Sequence, residues 1–458
     1  MKTFIEKSPK RYSWKFWIAF WLFSAIFLFS WYVFLQIRNK NIQNLKSLTK
    51  ILPIDSERKN EMRVLADIYD KMGGFQREQT LLILFQNDME LRPGGGFVGS
   101  FGIVKTKNGK ISNLQIHDTG NFDSRIPNTE TPPYPMGEKL YIKSWKLRDS
   151  NWSPDFKVNA EKAQYFYKLG GGRENFDGII AINTDVLNSI LAITGPVKID
   201  DYPGEYNDQT AILQLEYQVE KGFIEQGITK GERKNIMGEL AEVLIAKVHD
   251  FNLSEQLQLV NKIEDHLKRK DIQMFFWDED LQKEIDAMNW GGRVKDFSGD
   301  YLMAVDANLN SLKSDICIKR SLDYYVDLSR GAPQANLKIT YQHTCRTRDW
   351  MTTDYDDWAR VYVPAGAYLT EISGQDGDVV FSDELGKKVF GFNVYLPVGE
   401  TKTIALKYNL PNKNGAYSLL IQKQSGVSEL PVRISVKKTD DSVTTAEEFL
   451  TEDKEFNL

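Results

Sequence analysis

The first pattern along the chain is an unbroken apolar run, "FWIAFWLFSAIFLFSWYVFLQI", from Phe16 to Ile37, with no charge in it. As a helix it would be about 33 Å long, enough to cross the hydrocarbon core of a bilayer. Trp14, Trp17, Trp31 and Tyr32 stand toward its ends, where amphipathic rings prefer the headgroup layer. A cleaved signal peptide has a shorter core and a small-residue site, whereas "LQIRNKNIQN" follows here, so residues 16–37 read as an uncleaved anchor. Lys2, Lys7, Lys10, Arg11 and Lys15 precede the span, and Arg38, Lys40, Lys46 and Lys50 follow it. The bias is slight but predicts residues 1–15 in the cytoplasm, with the rest of a single-pass type II protein outside.

Residues 38–77 read as a stalk and helix, broken at Pro53 and ended at Gly73-Gly74. The pattern then becomes that of strands: "TLLILFQND", "FVGSFGIVKTK", a turn at Asn108-Gly109, and "KISNLQIHD". Helical signals follow. Ser153-Pro154 is expected to open a helix that stops at Gly170, and "FDGIIAINTDVLNSILAITGPVKI" reads as strand, Thr184-capped helix and short strand. Longer helices are predicted over about 208–221, 230–249 and 254–268. Strands alternating with helices predict a layered α/β/α domain with a mixed sheet over residues 78–299.

From Tyr301 the period changes again. "YLMAVDAN", "ICIKRSLDYYVDL", "NLKITYQHT", "ARVYVPAG", "VFGFNVYLP", "KTIALKYNLP", "YSLLIQKQ" and "VRISVKK" are short strands at near-regular spacing. They predict an all-β, Ig-like sandwich over residues 300–438. The acidic, polar segment 439–458 is expected to be a disordered tail.

Composition narrows the function. With 458 residues and a formal charge of -5, the chain lacks the basic face of a nucleic-acid binder. Four scattered histidines and two cysteines make no zinc motif. Cys317 and Cys345 lie in β-patterned runs, and a disulfide between them and two free thiols are equally open.

"RPGGGFVGSF" lacks the Lys-Ser/Thr and the following helix of a phosphate loop, so nucleotide binding is not supported. Gly94 to Gly96 either relieve crowding at a turn or offer amides to an anion around Gly95, with Arg92 as a fork of donors. "HDTGNFDSR" adds Asp118, Asp123 and Arg125 at a strand end. "WKLRDSNWSPDF" sets Arg148, Asp149 and Asp155 among Trp145 and Trp152, and "GITKGERKNIM" puts Lys230, Arg233 and Lys234 on the first turns of an expected helix. Such clusters suit phosphate or sugar, though solvated surface and structural ion pairs are the commoner explanation.

"LLILFQNDMELRPGGGFVGSFGIVKTKNGKI", "LRDSNWSPDF", "FDGIIAINTDVLNSILAITGPVKI" and "GDYLMAVDANLNSLKSD" resemble the bacterial family filed as domain of unknown function 4012, from about Glu78 to the end of the sandwich. The order of elements is also similar to the LytR-CpsA-Psr family of anchored enzymes. Those transfer glycopolymers from polyprenyl-pyrophosphate carriers to the cell wall, usually with a divalent cation such as magnesium. That resemblance implies metal ligands at Asp88 and Asp118, a ligand contact at His117 where the family has arginine, and another at Arg233. It departs at Gln218 and Glu220, which stand where the family has a pair of pyrophosphate-holding arginines.

Two functions are therefore expected. One is an envelope protein binding or transferring polyprenyl-(pyro)phosphate-linked glycopolymers, as a phosphotransferase if it is an enzyme. Asp118, Arg92 and Arg125 would be its catalytic residues, Gly95, His117, Arg148, Asp149 and Arg233 its ligand contacts, and Mg2+ its cofactor. The other is a non-catalytic surface scaffold or adhesion protein that binds protein, glycan or cell-wall components through the sandwich.

Overall fold

The computed structural model describes residues 55–329, 331–412 and 416–458. The expected anchor at 16–37, the residues before it and the first part of the stalk lie outside the described residues. Among the described residues no helix is long and apolar enough to cross a membrane.

The described residues divide into two compact units, 55–77 with 108–110 and 78–107 with 111–458. In the first, α1 (Ser56–Met72) starts where the Asp55 carboxylate accepts from the Arg58 amide at 2.8 Å, a side-chain cap on an otherwise unpaired N–H. It stops at Gly73-Gly74, as the glycine pair predicts.

The second unit begins with a five-stranded sheet of β1 (Gln79–Asn87), β2 (Phe97–Lys107), β3 (Lys110–Asp118), β4 (Gly178–Ile182) and β5 (Ile272–Phe276), in the order β3-β2-β1-β4-β5. β4 runs parallel to β1, while β2 and β5 run antiparallel to their neighbours, so the sheet is mixed. The α-helices of five or more residues in this region are α2 (Thr119–Asp123), α3 (Phe156–Leu169), α4 (Thr184–Thr194), α5 (Ala211–Tyr217), α6 (Asn235–His249), α7 (Leu253–Arg269) and α8 (Glu279–Ala287). Phe156, Ala160, Ala163, Phe166 and Tyr167 recur at helical spacing along α3 and bury against Leu82, Leu84, Phe101 and Ile179 of the sheet. A second core gathers Leu191 of α4, Leu215 of α5, and Ile236, Leu240 and Leu244 of α6.

Several boundaries differ from expectation. The cap of α3 is Asp155, whose carboxylate reaches the Lys157 amide, not Ser153. The residue before α4 is Asn183 rather than Thr184, and the expected strand after Pro196 is a single bridge from Val197 to Tyr206. α6 begins at Asn235, which leaves Arg233 and Lys234 in front of it.

The β-rich region runs through β6 (Asp300–Val305), β7 (Ile318–Asp327), β8 (Gln334–His343), β9 (Tyr355–Pro364), β10 (Tyr368–Ser373), β11 (Asp376–Glu384), β12 (Lys387–Leu396), β13 (Thr401–Asn409), β14 (Ser418–Ile421), β15 (Leu430–Lys437), β16 (Val443–Leu450) and β17 (Lys454–Asn457). They form two six-stranded sheets, β10-β13-β8-β7-β15-β16 and β11-β12-β9-β6-β14-β17. One core joins them, with Tyr324, Leu337, Ile404 and Ile434 from the first sheet and Val361, Phe390, Phe392 and Leu419 from the second. Cys317 and Cys345 are joined by a disulfide across a separation of 28 residues.

The expected disordered tail is corrected: β16 pairs with β15 and β17 with β14. Between them the Asp453 side chain, 5% exposed, is bonded to Lys270 at 2.5 Å and to Lys295 at 3.3 Å. The acidic segment is held here by strand pairing and by the buried Lys270 and half-buried Lys295 that meet Asp453.

A polar seam joins the five-stranded sheet to the two-sheet region. Arg92, 1% exposed, donates through Nε to Asp149 (3.3 Å), through Nη2 to Glu90 (2.9 Å), and through Nη1 to the Asn308 carbonyl (2.6 Å). The Asn308 amide returns a bond to the Leu91 carbonyl, and Gln424 donates to the Arg92 carbonyl. The glycines make this closeness possible. A Cβ on Gly94 would lie 2.3 Å from Asn159 Nδ2, on Gly95 2.3 Å from Gln86 Oε1, and on Gly96 2.5 Å from the Asn87 backbone. Gly95 also holds φ at +129°, which side chains rarely adopt. Of the two readings of this loop, the structure has the crowded turn.

Removing Arg92 would leave Asp149 buried without its cation. Arg92→Met should therefore cost about 3–5 kcal/mol of stability by denaturant unfolding; a loss under 1 kcal/mol would show that the seam does not depend on this charge.

Candidate functional site

β3 ends at Asp118, and the residues that follow turn at once into α2. Asp118 Oδ1 caps that turn by accepting from the Asn121 amide at 2.7 Å, while Oδ2 pairs with Lys234 at 2.9 Å. These contacts shape a polar pocket of about 530 Å³, lined by His117, Asp118, Asn121 and Arg125 on one side and by Lys234, Asn235, Glu239 and Glu242 on the other. Burial alone would push the Asp118 carboxyl up, but Lys234, the Asn121 amide and nearby Arg233 hold it below the usual carboxylate range. Burial together with the Arg125 charge lowers His117, which favours the neutral imidazole. The ring stacks on Phe101 at 5.0 Å, and its Nε2 has no hydrogen-bond partner.

Arg125 differs from its neighbours. Its guanidinium lies 4.7 Å over the Phe122 ring, and among the described residues it makes no ion pair. Arg148 pairs with Asp123 at 2.6 Å and reaches the rim, 3.9 Å from where a Cβ on Gly120 would stand. Arg233 pairs with Glu220 at 3.3 Å. Asp118, His117 and Arg125 thus meet in one pocket, with Arg148 and Arg233 close to it.

Arg92, Gly95 and Asp149 do not belong to it. Each is fixed in the seam, with the guanidinium already matched to carboxylates and a carbonyl. Sequence clustering misplaced them because buried ion pairs and ligand-binding groups use the same residue types. Lys234, Asn121, Glu239 and Glu242 were not named as site residues. The only sequence cue for them was the basic stretch before α6.

The donor set does not fit a magnesium ion shared by Asp88 and Asp118. Both Asp118 oxygens are engaged, and the Asp88 carboxylate takes the Thr184 hydroxyl. Among the described residues, no three carboxylate, histidine or cysteine side chains gather as metal ligands. Gln218 and Glu220 are likewise occupied, by Gln226 and Arg233.

A second polar chain escaped the sequence reading. His266 of α7 bonds Asp271 through Nδ1 and the Ser189 hydroxyl of α4 through Nε2, both at 2.8 Å. Asp271 also takes Arg269 (3.1 Å) and Asn183 (3.0 Å), so the chain ties two helices to β5.

Residues 76–219 match the model of a family described as "Protein of unknown function (DUF4012)". This segment belongs to DUF4012. The match stops before α6 and the two-sheet region, short of the extent expected from the quoted motifs. Asp118 and Arg125 fall inside the DUF4012 segment, and Lys234 beyond it. None of the curated proteins compared matches the chain. Among solved structures it is similar to protein gbs0355 of Streptococcus agalactiae (11% identity, 47% of this chain and 74% of that one, TM-score 0.31). It is similar to Lin1025 of Listeria innocua (13%, 47% and 78%, TM-score 0.27). A third is a Legionella pneumophila protein described as nutrient binding (12%, 30% and 54%, TM-score 0.22), about half of whose length is spanned. At these scores none of the three bears on fold or function. The LytR-CpsA-Psr resemblance is not shown by these matches.

Burial, aided by the charges of Asp185 and Asp271, pushes Asp88 up to about 7. An unfolded aspartate titrates near about 3.9. The folded state therefore binds the proton more tightly, and stability falls as pH rises from about 4 to about 7. Asp88→Asn should raise the unfolding midpoint more at pH 8 than at pH 5; equal shifts at both would contradict this.

Proposed function

We propose that the chain is a membrane-anchored, extracytoplasmic protein of the bacterial envelope that binds the phosphorylated end of a polyprenyl-(pyro)phosphate-linked glycan. In this reading the α/β region is a layered α/β/α domain of LytR-CpsA-Psr type, and the two-sheet region is an Ig-like sandwich. The observation that carries the proposal is the Arg125 guanidinium, free of ion pairs in a polar pocket of about 530 Å³. A planar fork of donors suits phosphate oxygens, and Lys234, with Arg148 and Arg233 nearby, adds positive charge. Asn121, Asn235, Glu239 and Glu242 can receive the hydroxyls of the first sugar. Lys234 and the Asn121 amide already occupy the Asp118 carboxylate, so in this reading Asp118 helps to shape the site. The Cys317–Cys345 disulfide supports an oxidising compartment, and the segment at 16–37 supplies the anchor.

Two measurements test this. Detergent-solubilised wild-type chain should bind a short-chain polyprenyl-pyrophosphate disaccharide by calorimetry. Arg125→Ala should weaken that binding at least tenfold, as expected for one charge-assisted contact of about 1.5–3 kcal/mol. No binding by wild type, or equal binding by the variant, would remove the carrier reading and leave the scaffold one. In intact cells, a reporter fused behind residue 60 should be open to external protease; a shielded reporter would overturn the location.

A further inference from the structure

A second cavity lies away from the Asp118 pocket. It has a volume of about 540 Å³, and α5 and the π-helical turn Gln218–Gly222 close one side. Trp350 and Met351, from the loop before β9, close the other. The volume falls within the range of about 300–1,000 Å³ typical of small-ligand sites. We propose that this cavity binds a pyranose ring of a neutral oligosaccharide.

Three observations support it. First, the wall is aromatic. Tyr217 meets Trp350 nearly at right angles (79°) with centroids 6.1 Å apart, and Tyr217 stays 42% exposed. The C–H face of a sugar ring packs on such surfaces. Second, the polar groups are planar amides and a carboxylate, the types that bind vicinal hydroxyls through paired donors and acceptors. Gln218 and Gln226 bond each other reciprocally at 2.8 and 2.7 Å, which holds both amides in fixed orientation. Glu225 is held by the Tyr217 hydroxyl at 2.7 Å, and Gln214 Oε1 is buried with no partner. Third, the backbone is widened here. The π-helical turn replaces regular helix, and at Gly222 a Cβ would stand 2.6 Å from Gln218 Oε1. Such bulges are costly and occur often at functional sites.

The charge balance selects a neutral sugar. Lys221 lies 5.0 Å over the Trp350 ring, outside the lining, and Glu225 is the one carboxylate in the lining among the described residues. The site shares no residue with the Asp118 pocket, so it does not depend on the carrier reading.

The experiment is saturation-transfer NMR and calorimetry on the detergent-solubilised full chain, with maltose, cellobiose and N,N′-diacetylchitobiose as probes. At least one should bind in the millimolar range or tighter. Trp350→Ala should weaken it at least tenfold. Leu213→Trp fills the cavity from an exposed position and so spares the fold; it should do the same. Arg125→Ala should leave this binding unchanged. Absence of transfer from all three sugars, or unaltered affinity in Leu213→Trp, would overturn the proposal.

Discussion

Burial of the Arg92 charge constrains more of this molecule than any other contact described. A guanidinium enclosed away from water must find its hydrogen bonds inside, or the cost runs to several kcal/mol. Arg92 finds Glu90 and Asp149 within the α/β region and the Asn308 carbonyl beside β6. That requirement brings the loop after β1 against the β-rich region and leaves no space for side chains at Gly94, Gly95 and Gly96. The seam continues in Asp315, which accepts from the Leu91 amide and from Arg320, and in Arg320, which also bonds Asp306. Residues 78–107 and 111–458 form one compact unit.

Two concave surfaces lie away from the Arg92 seam. The Asp118 pocket forms where β3 passes into α2 and the approach to α6 lies across it. The Trp350 cavity forms where a widened helical turn faces a loop of the two-sheet region. Their chemistries differ. One is polar and charged, with an arginine in no ion pair among the described residues; the other is mostly apolar, with oriented amides.

Elements whose cores have strong periodicity were legible in advance. β2 and β3 follow "FVGSFGIVKTK" and "KISNLQIHD" residue for residue, because alternation and an Asn-Gly turn define both strands and their join. β10 and β11 were missed because they lie along sheet edges, largely exposed, with no apolar alternation to mark them. β5 was missed for the opposite reason: "IQMFF" is buried throughout and has no period. The tail misled because low hydrophobicity usually means disorder, yet Asp453 had Lys270 and Lys295 waiting in the fold.

The sequence by itself determined where strands and helices alternate, where the all-β pattern begins, the DUF4012 character of the segment around the glycines, and the neighbourhood of Asp118 and Arg125. Tertiary structure alone decided which charged residues are spent on each other. Arg92 and Arg125 look alike in a linear chain, 33 positions apart. One is enclosed by two carboxylates that lie 2 and 57 positions from it, and the other meets none among the described residues. Pairing depends on distances in the folded chain, and no local pattern of residues encodes them.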